Sequence, residues 1–247
     1  ALAIAWLDLT NAFGSVPHEL ITYSLNHFGL PEGFVEIIQD FYTGSFMRVC
    51  TAGTKTQPIP MLSGVKQGDP ISPTLFNISL ELLIRSHLAT SRGHKVIDSR
   101  VKLLAFADDM AIVSDSHKTL QQDINSLDAI AEKLNLIFKP KKCAALILDY
   151  GNANPTKLIT LRGEAIRALS GTDHYMYLGV KVGAHAIQSG EDLILTASED
   201  LGKITTSLLA PWQKLDALQT FILPRFTHFA LNSNPDMTSI NALADGV

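Results

Sequence analysis

An α+β fold follows from three features of the sequence. The opening Ala1 to Leu9 is almost wholly apolar and carries an acid, Asp8, at its end. Two further apolar runs, Val101 to Phe106 and Met110 to Val113, flank the pair Asp108-Asp109. Between and after these runs the apolar residues recur at helical spacing, so strands and helices mix along one chain. With 247 residues, 46% hydrophobic and 18% charged, there is material for one sizeable core or for one domain with a smaller appendage, and disorder is excluded.

Ala1 to Leu9 reads as a central strand buried on both faces, with a site at its polar carboxyl end. Ser15-Val16-Pro17 opens a helix through about Phe28, with Ser15 as cap, Pro17 in the first turn and Gly29 as the stop. A second helix runs from Pro31 to Tyr42. Phe46 to Ala52 and Gln57 to Leu62 flank Gly53-Thr54-Lys55 as a surface hairpin. After a glycine-rich loop, Ser72-Pro73 starts a helix whose Leu75, Ile78, Leu82 and Leu83 share one face up to about Leu88. The runs around Asp108-Asp109 form a hairpin with both acids at its tip. Helical spacing returns from Thr119 to Leu134, and strands are predicted at Ala144 to Leu148, Leu158 to Leu161 and Tyr175 to Val182. Beyond Gly190 the pattern is helical, with breaks at Pro211 and Pro224, and Asn232 to Val247 has too little periodicity to assign.

The longest apolar runs stop well short of the roughly 20 residues that cross a bilayer, so a soluble protein with no membrane partner is expected. The sequence lacks an initiator Met and a leader, which suggests an internal fragment. Cys50 and Cys143 read as reduced thiols of an intracellular protein, with a disulfide as the alternative, and cannot form a zinc finger alone. A net charge of -4 runs against nucleic-acid binding, but Lys139, Lys141 and Lys142 cluster, and opposed local patches can hide in a near-neutral total.

Asp108 and Asp109 lie among Leu103, Leu104, Phe106, Met110, Ile112 and Val113, where ionised carboxylates need a cation or hydrogen bonds. A bare Asp-Asp pair also makes an ordinary exposed turn. Asp8, at the end of a second buried strand, supplies a third carboxylate, and the three together would form a hard oxygen cage suited to Mg²⁺; alone, such a residue is more often a helix cap. The segment Gly64-Val65-Lys66-Gln67-Gly68-Asp69-Pro70-Ile71-Ser72-Pro73 combines glycines, a side-chain amide and a helix amino terminus, which suits a nucleotide or a plain loop-to-helix junction.

These segments fall in the order of known motifs. Asp8-Leu9-Thr10-Asn11-Ala12-Phe13-Gly14-Ser15-Val16 resembles polymerase motif A, Gln67-Gly68 with Ser72-Pro73 resembles motif B, and Phe106-Ala107-Asp108-Asp109 resembles motif C. Leu136 to Cys143, with Pro140 and Lys142, is similar to motif D, and Tyr177-Leu178-Gly179-Val180 to motif E. The chain thus resembles non-LTR (type-1, LINE-like) retrotransposon reverse transcriptases from Asp8 to about Val182, and the Phe-Gly-Ser-Val wording leans toward the group that inserts into ribosomal RNA genes. Gly14 departs from the acid that many relatives carry there, and Lys139 replaces an Asn usual in motif D.

The resemblance implies a polymerase palm over residues 1–183, a mixed, mainly antiparallel sheet packed on helices, with the fingers missing and a truncated, helical, thumb-like segment over 184–247. It implies two Mg²⁺ ions, replaceable by Mn²⁺, on Asp8, Asp108 and Asp109, with the Leu9 carbonyl assisting. Phe13 would stand against the sugar 2′ carbon, Gln67 and Gly68 would line the nucleotide pocket, Lys142 would serve the leaving pyrophosphate, and Tyr177, Leu178 and Gly179 would hold the primer end. Read on residues alone, Phe13 is equally a core aromatic, Lys142 a solvated cation and Tyr177-Leu178-Gly179 an ordinary hairpin. The implied activity is RNA-directed DNA synthesis within a retrotransposon polyprotein, by nucleotidyl transfer from a dNTP to a primer 3′-hydroxyl in target-primed reverse transcription. Its partners would be an RNA template, a DNA primer or target and dNTPs, in the nucleus at integration, with oligomeric state open and an endonuclease elsewhere in the parent. The alternative is a degenerate or domesticated palm that binds nucleic acid or a partner without catalysis.

Overall fold

The computed structural model describes residues 1–51, 53–186, 191–232 and 241. The chain divides into two compact units, Ala1–Asp173 and His174–Val247.

In the first unit, strand β1 (Leu2–Leu7) buries Ala3, Ala5, Trp6 and Leu7, and the sequence supplies no polar residue until Asp8. The helix predicted from Ser15 is α2 (His18–His27), and a short, unpredicted α1 (Ala12–Ser15) precedes it. Pro17 causes the break, because it drives Val16 into extended backbone at ψ 117°. Ser15 therefore caps nothing; its Oγ donates to the Ala12 carbonyl. Gly29, at φ 75°, ends α2 as predicted. Helix α3 (Glu32–Tyr42) turns Val35, Ile38 and Tyr42 inward.

The surface hairpin is an interrupted ribbon: β2 (Phe46–Met47) and β3 (Cys50–Thr51) run out, β4 (Thr54–Lys55) and β5 (Ile59–Pro60) return, and β2 pairs with β5 while β3 pairs with β4. Ala52, at its tip, lies outside the described residues. Helix α4 (Ser72–Thr90) buries Leu75, Phe76, Leu80 and Leu83, whereas Ile78 and Leu82 of the predicted face sit half-buried at its margin. A small hairpin absent from the sequence reading follows, β6 (His94–Val96) with β7 (Ser99–Val101), its alternation masked by His94, Lys95, Ser99 and Arg100. Strands β8 (Leu103–Phe106) and β9 (Asp109–Ser114) form the predicted acidic hairpin. Helix α5 (His117–Lys133) is capped by Ser116, whose Oγ accepts from the Thr119 amide. Then come β10 (Ala144–Asp149), β11 (Asn152–Ala153), β12 (Thr160–Leu161), β13 (Glu164–Ala165) and β14 (Arg167–Ala168).

The main sheet has the order β11-β10-β1-β9-β8, all antiparallel, with β14 added parallel to β10. Leu7, Met110, Ile112 and Cys143 share one buried cluster with Ile21 and Leu25 of α2, Phe76 and Leu83 of α4, and Leu120, Ile124 and Leu127 of α5. One expectation is corrected: Leu104 and Phe106 are 52% and 67% exposed and do not enclose the acids. By the alternation of a strand they project from the face of β8 opposite Leu103, the residue that packs on the core.

In the second unit, β15 (Tyr175–Tyr177) and β16 (Val180–Val182) make a tight hairpin. Helix α6 (Glu191–Thr206) is followed by α7 (Pro211–Ala217), a π-helical segment Leu218–Ile222 and α8 (Leu223–Asn232). Pro211 opens α7, but the chain stays helical through Pro224. The π segment just before it respaces the backbone bonds where Pro224 has no amide to give. The unassigned tail beyond Asn232 lies outside the described residues except Asn241. Among the described residues no helix is long and apolar enough to cross a membrane.

Candidate active site

Strand register brings the acids into one neighbourhood. Leu7 of β1 pairs with Met110 of β9, so one step further the antiparallel ladder sets Asp8 opposite Asp109. Phe106 pairs with Asp109 across the β8–β9 turn, leaving Ala107 and Asp108 as the turn residues. Ala107 takes φ 51°, a left-handed conformation that an alanine tolerates only under constraint from the flanking strands.

Electrostatics agrees with this convergence. The Asp109 carboxyl is pushed above the usual carboxylate range, first by burial, then by the charges of Asp108 and Asp8, with Lys142 opposing. Lys142 Nζ lies 3.3 Å from Asp8 Oδ2. The other oxygen, Asp8 Oδ1, is buried with no hydrogen-bond partner. A buried carboxylate oxygen left in this state, in a chain whose Asp109 feels the charges of both Asp108 and Asp8, has the hard-oxygen chemistry that a divalent cation takes. Among the described residues, no group of three or more His, Cys, Asp or Glu side chains is already gathered tightly enough to hold a metal by itself. The acids are neighbours in one field, and Lys142 supplies the positive charge at Asp8.

Asp8 is held from behind. Past Leu7 the chain pairs with the segment before β10: the Lys139 amide donates to the Asp8 carbonyl at 2.9 Å and the Thr10 amide to the Ile137 carbonyl at 2.7 Å. This bridge of Leu9 with Phe138 does not engage the Leu9 carbonyl. The Asp8 amide donates to Cys143 Sγ at 3.4 Å, and that thiol donates to the Lys139 carbonyl at 3.3 Å. Burial pushes the Cys143 thiol up to about 11, so it stays protonated as this donor. Both cysteines are free, Cys50 on the surface and Cys143 inside.

The glycine-rich loop is joined to motif A through the backbone. The Val65 amide donates to the Phe13 carbonyl at 2.8 Å, the Gly64 amide to the Val16 carbonyl at 2.7 Å, and Ser63 Oγ to the Gly14 carbonyl at 3.1 Å. At Gly64, φ is +87° and a Cβ would lie 2.8 Å from Gly14 Cα. A Cβ on Gly14 would in turn lie 2.3 Å from Asn11 Nδ2, so the glycine that departs from the usual acid leaves room for that amide. Asn11, Gly14, Ser63, Gly64 and Gln67, with Met47, Pro60 and Leu62, line a cleft of about 530 Å³. Gln67 and Gly68 are exposed. Phe13 is half-buried, its ring stacked on Phe76 at 4.3 Å between centroids and 12° between planes.

Sequence reasoning missed how this loop is anchored. Lys66 Nζ donates to the Phe41 carbonyl at the end of α3 at 2.8 Å and lies 3.6 Å from the Phe41 ring centroid. Ser72 Oγ donates to the Lys66 carbonyl at 2.6 Å. Lys66 and Cys143 fall inside quoted segments and Phe76 just after one, but nothing in those segments announces their contacts, because each partner is remote in sequence. Tyr177, Leu178 and Gly179 belong to the second unit, where Leu178 and Gly179 turn the β15–β16 hairpin with φ 51° and 78°.

Comparison with known proteins points the same way. The family described as Reverse transcriptase (RNA-dependent DNA polymerase) matches residues 2–182. The Pol polyprotein of the type-1 retrotransposable element R2 of Nasonia vitripennis is 31% identical over 234 residues, covering 92% of this chain and 22% of the relative. That of the type-2 element R2DM of Drosophila melanogaster is 31% identical over 241 residues, covering 91% and 22%. The RNA-directed DNA polymerase from the mobile element jockey of Drosophila funebris is 27% identical over 182 residues, covering 71% and 19%. The chain therefore spans about a fifth of the length of these three relatives. A solved structure of telomerase from Candida tropicalis, complexed with a fragment of telomeric RNA, covers 98% of this chain and 41% of its own at a TM-score of 0.50 and 13% identity, a likeness of fold alone.

Proposed function

Since the chain belongs to the reverse transcriptase (RNA-dependent DNA polymerase) family, we propose that it is the palm-centred core of a retrotransposon RNA-directed DNA polymerase that copies an RNA template by adding dNTPs to a DNA primer. The observation that carries this reading is the register that sets Asp8 opposite Asp109 beside Asp108, with Asp8 Oδ1 buried and unpartnered.

Asp8, Asp108 and Asp109 would hold two Mg²⁺ ions, with Mn²⁺ as substitute and the Leu9 carbonyl as a further donor. Bound there, the cations would supply the charge that favours an ionised primer 3′-hydroxyl and offsets that of the departing pyrophosphate. The protein's own groups position and neutralise. Gln67 and Gly68 present an amide and bare backbone to the nucleotide from a loop tied to motif A. The Phe13 ring stands against the sugar 2′ carbon and favours deoxynucleotides. Lys142 stabilises or protonates the leaving pyrophosphate, and Tyr177-Leu178-Gly179 holds the primer end. Helices α6 to α8 are the thumb-like part, and the parent polyprotein works in target-primed integration inside the nucleus.

Primer extension on an RNA template with the complete polypeptide tests this directly. Activity that needs Mg²⁺ and is lost in Asp108→Asn is the expected outcome; extension that survives in Asp108→Asn removes the proposal. Lys142→Ala should also change the pH–rate profile, and an unaltered profile discards its role.

A further inference from the structure

We propose that Phe76, a residue of α4 outside the acid cluster and the loop, sets sugar selectivity by fixing the Phe13 ring; this deepens, and rests on, the reading of Phe13 as the wall against the 2′ carbon. An aromatic wall discriminates between hydrogen and hydroxyl only if its ring cannot swing aside. The backbone of Phe13 is already pinned, since its carbonyl accepts the Val65 amide at 2.8 Å. Its remaining freedom is rotation about the side-chain bonds, and one face of the ring lies flat on Phe76 at 4.3 Å. Phe76 is 0% exposed, so it has no room to follow a moving partner.

The same helix ties this platform to the nucleotide loop. Ser72 Oγ of α4 donates to the Lys66 carbonyl, directly before Gln67. A single rigid element therefore carries both the support for the sugar wall and the end of the loop that faces the nucleotide. Phe76 touches neither metal nor substrate in this account. It acts through Phe13, as a positioning residue, and its removal alters discrimination more than rate.

The experiment measures kcat/KM for a dNTP and for the matching rNTP in one preparation of the complete polypeptide, so that the ratio cancels any inactive fraction. Phe76→Leu should raise relative rNTP use about three- to tenfold, the scale of a lost aromatic stack. Phe76→Tyr, which keeps the ring, should retain selectivity, and Phe13→Val with Phe76→Leu should relax it no further than Phe13→Val alone. Leu83→Ala, a cavity at another fully buried position of α4, controls for core damage and should leave the ratio unchanged. If Phe76→Leu does not fold, Phe76→Met replaces it. A shifted ratio in Phe13→Val with none in the folded Phe76 variant overturns the inference alone. No shift in Phe13→Val overturns the wall reading itself, and the inference with it.

Discussion

Gly64 and Gly68 lie in the same loop with nearly the same φ, +87° and +89°, but in different surroundings, and this pair tests whether the loop is locked to motif A. An alanine at either position meets the left-handed penalty of L residues, about 1–2 kcal/mol. At Gly68 nothing lies within 4 Å of the added Cβ, so the penalty ends there. At Gly64 the Cβ meets Gly14 Cα and O at 2.8 Å and C at 2.9 Å, all backbone atoms that cannot rotate away. Overpacking of this kind adds about 1–3 kcal/mol, which brings Gly64→Ala to roughly 2–5 kcal/mol. Urea unfolding of the two variants, read as midpoint shifts at constant m, gives both values. Equal destabilisation would refute the close approach of the two backbones.

Other expectations follow from individual groups. Ile97 is β-branched, 84% exposed and held at φ 53°, so Ile97→Asn should stabilise the chain by about 1 kcal/mol in the same unfolding assay; no gain would mean the turn is not strained. Buried His87 has its pKa lowered, chiefly by desolvation, against the opposing charge of Asp123. Its contribution is complete above the unfolded value of 6.5 and is lost as pH falls toward the folded value, by at most about 1.4 kcal/mol per pH unit, and His87→Leu should flatten that limb of the stability curve. Asp109 has a raised pKa, so its contribution is present below the unfolded value of 3.8 and lost as pH rises through the folded value. Asp109→Asn should therefore raise the melting temperature of the metal-free chain at neutral pH, and a lowered one would contradict the like-charge cluster.

Much of the fold was legible because its signals are local. Two-sided burial marks β1, an apolar pair around two acids marks the β8–β9 hairpin, and Gly29 marks the end of α2. Local signals also misled: Ser15 has the chemistry of a cap, but Pro17 two residues on settles where the helix starts. The exposure of Leu104 and Phe106 depends on which face of β8 the core covers, and a run of apolar residues does not carry that choice. The acids were legible as motifs, and their meeting depends on register between strands far apart in sequence. The contacts of Lys66 with Phe41, Phe76 with Phe13 and Cys143 with Asp8 leave no periodic trace at all.

The claim beneath the rest is that Asp8, Asp108 and Asp109 act as a single cation-holding group. Mn²⁺ binding to the chain, followed by electron paramagnetic resonance, tests it without depending on turnover. Specific binding that falls sharply in Asp8→Asn and again in Asp108→Asn is the predicted result; binding that is unchanged in both variants would contradict the account.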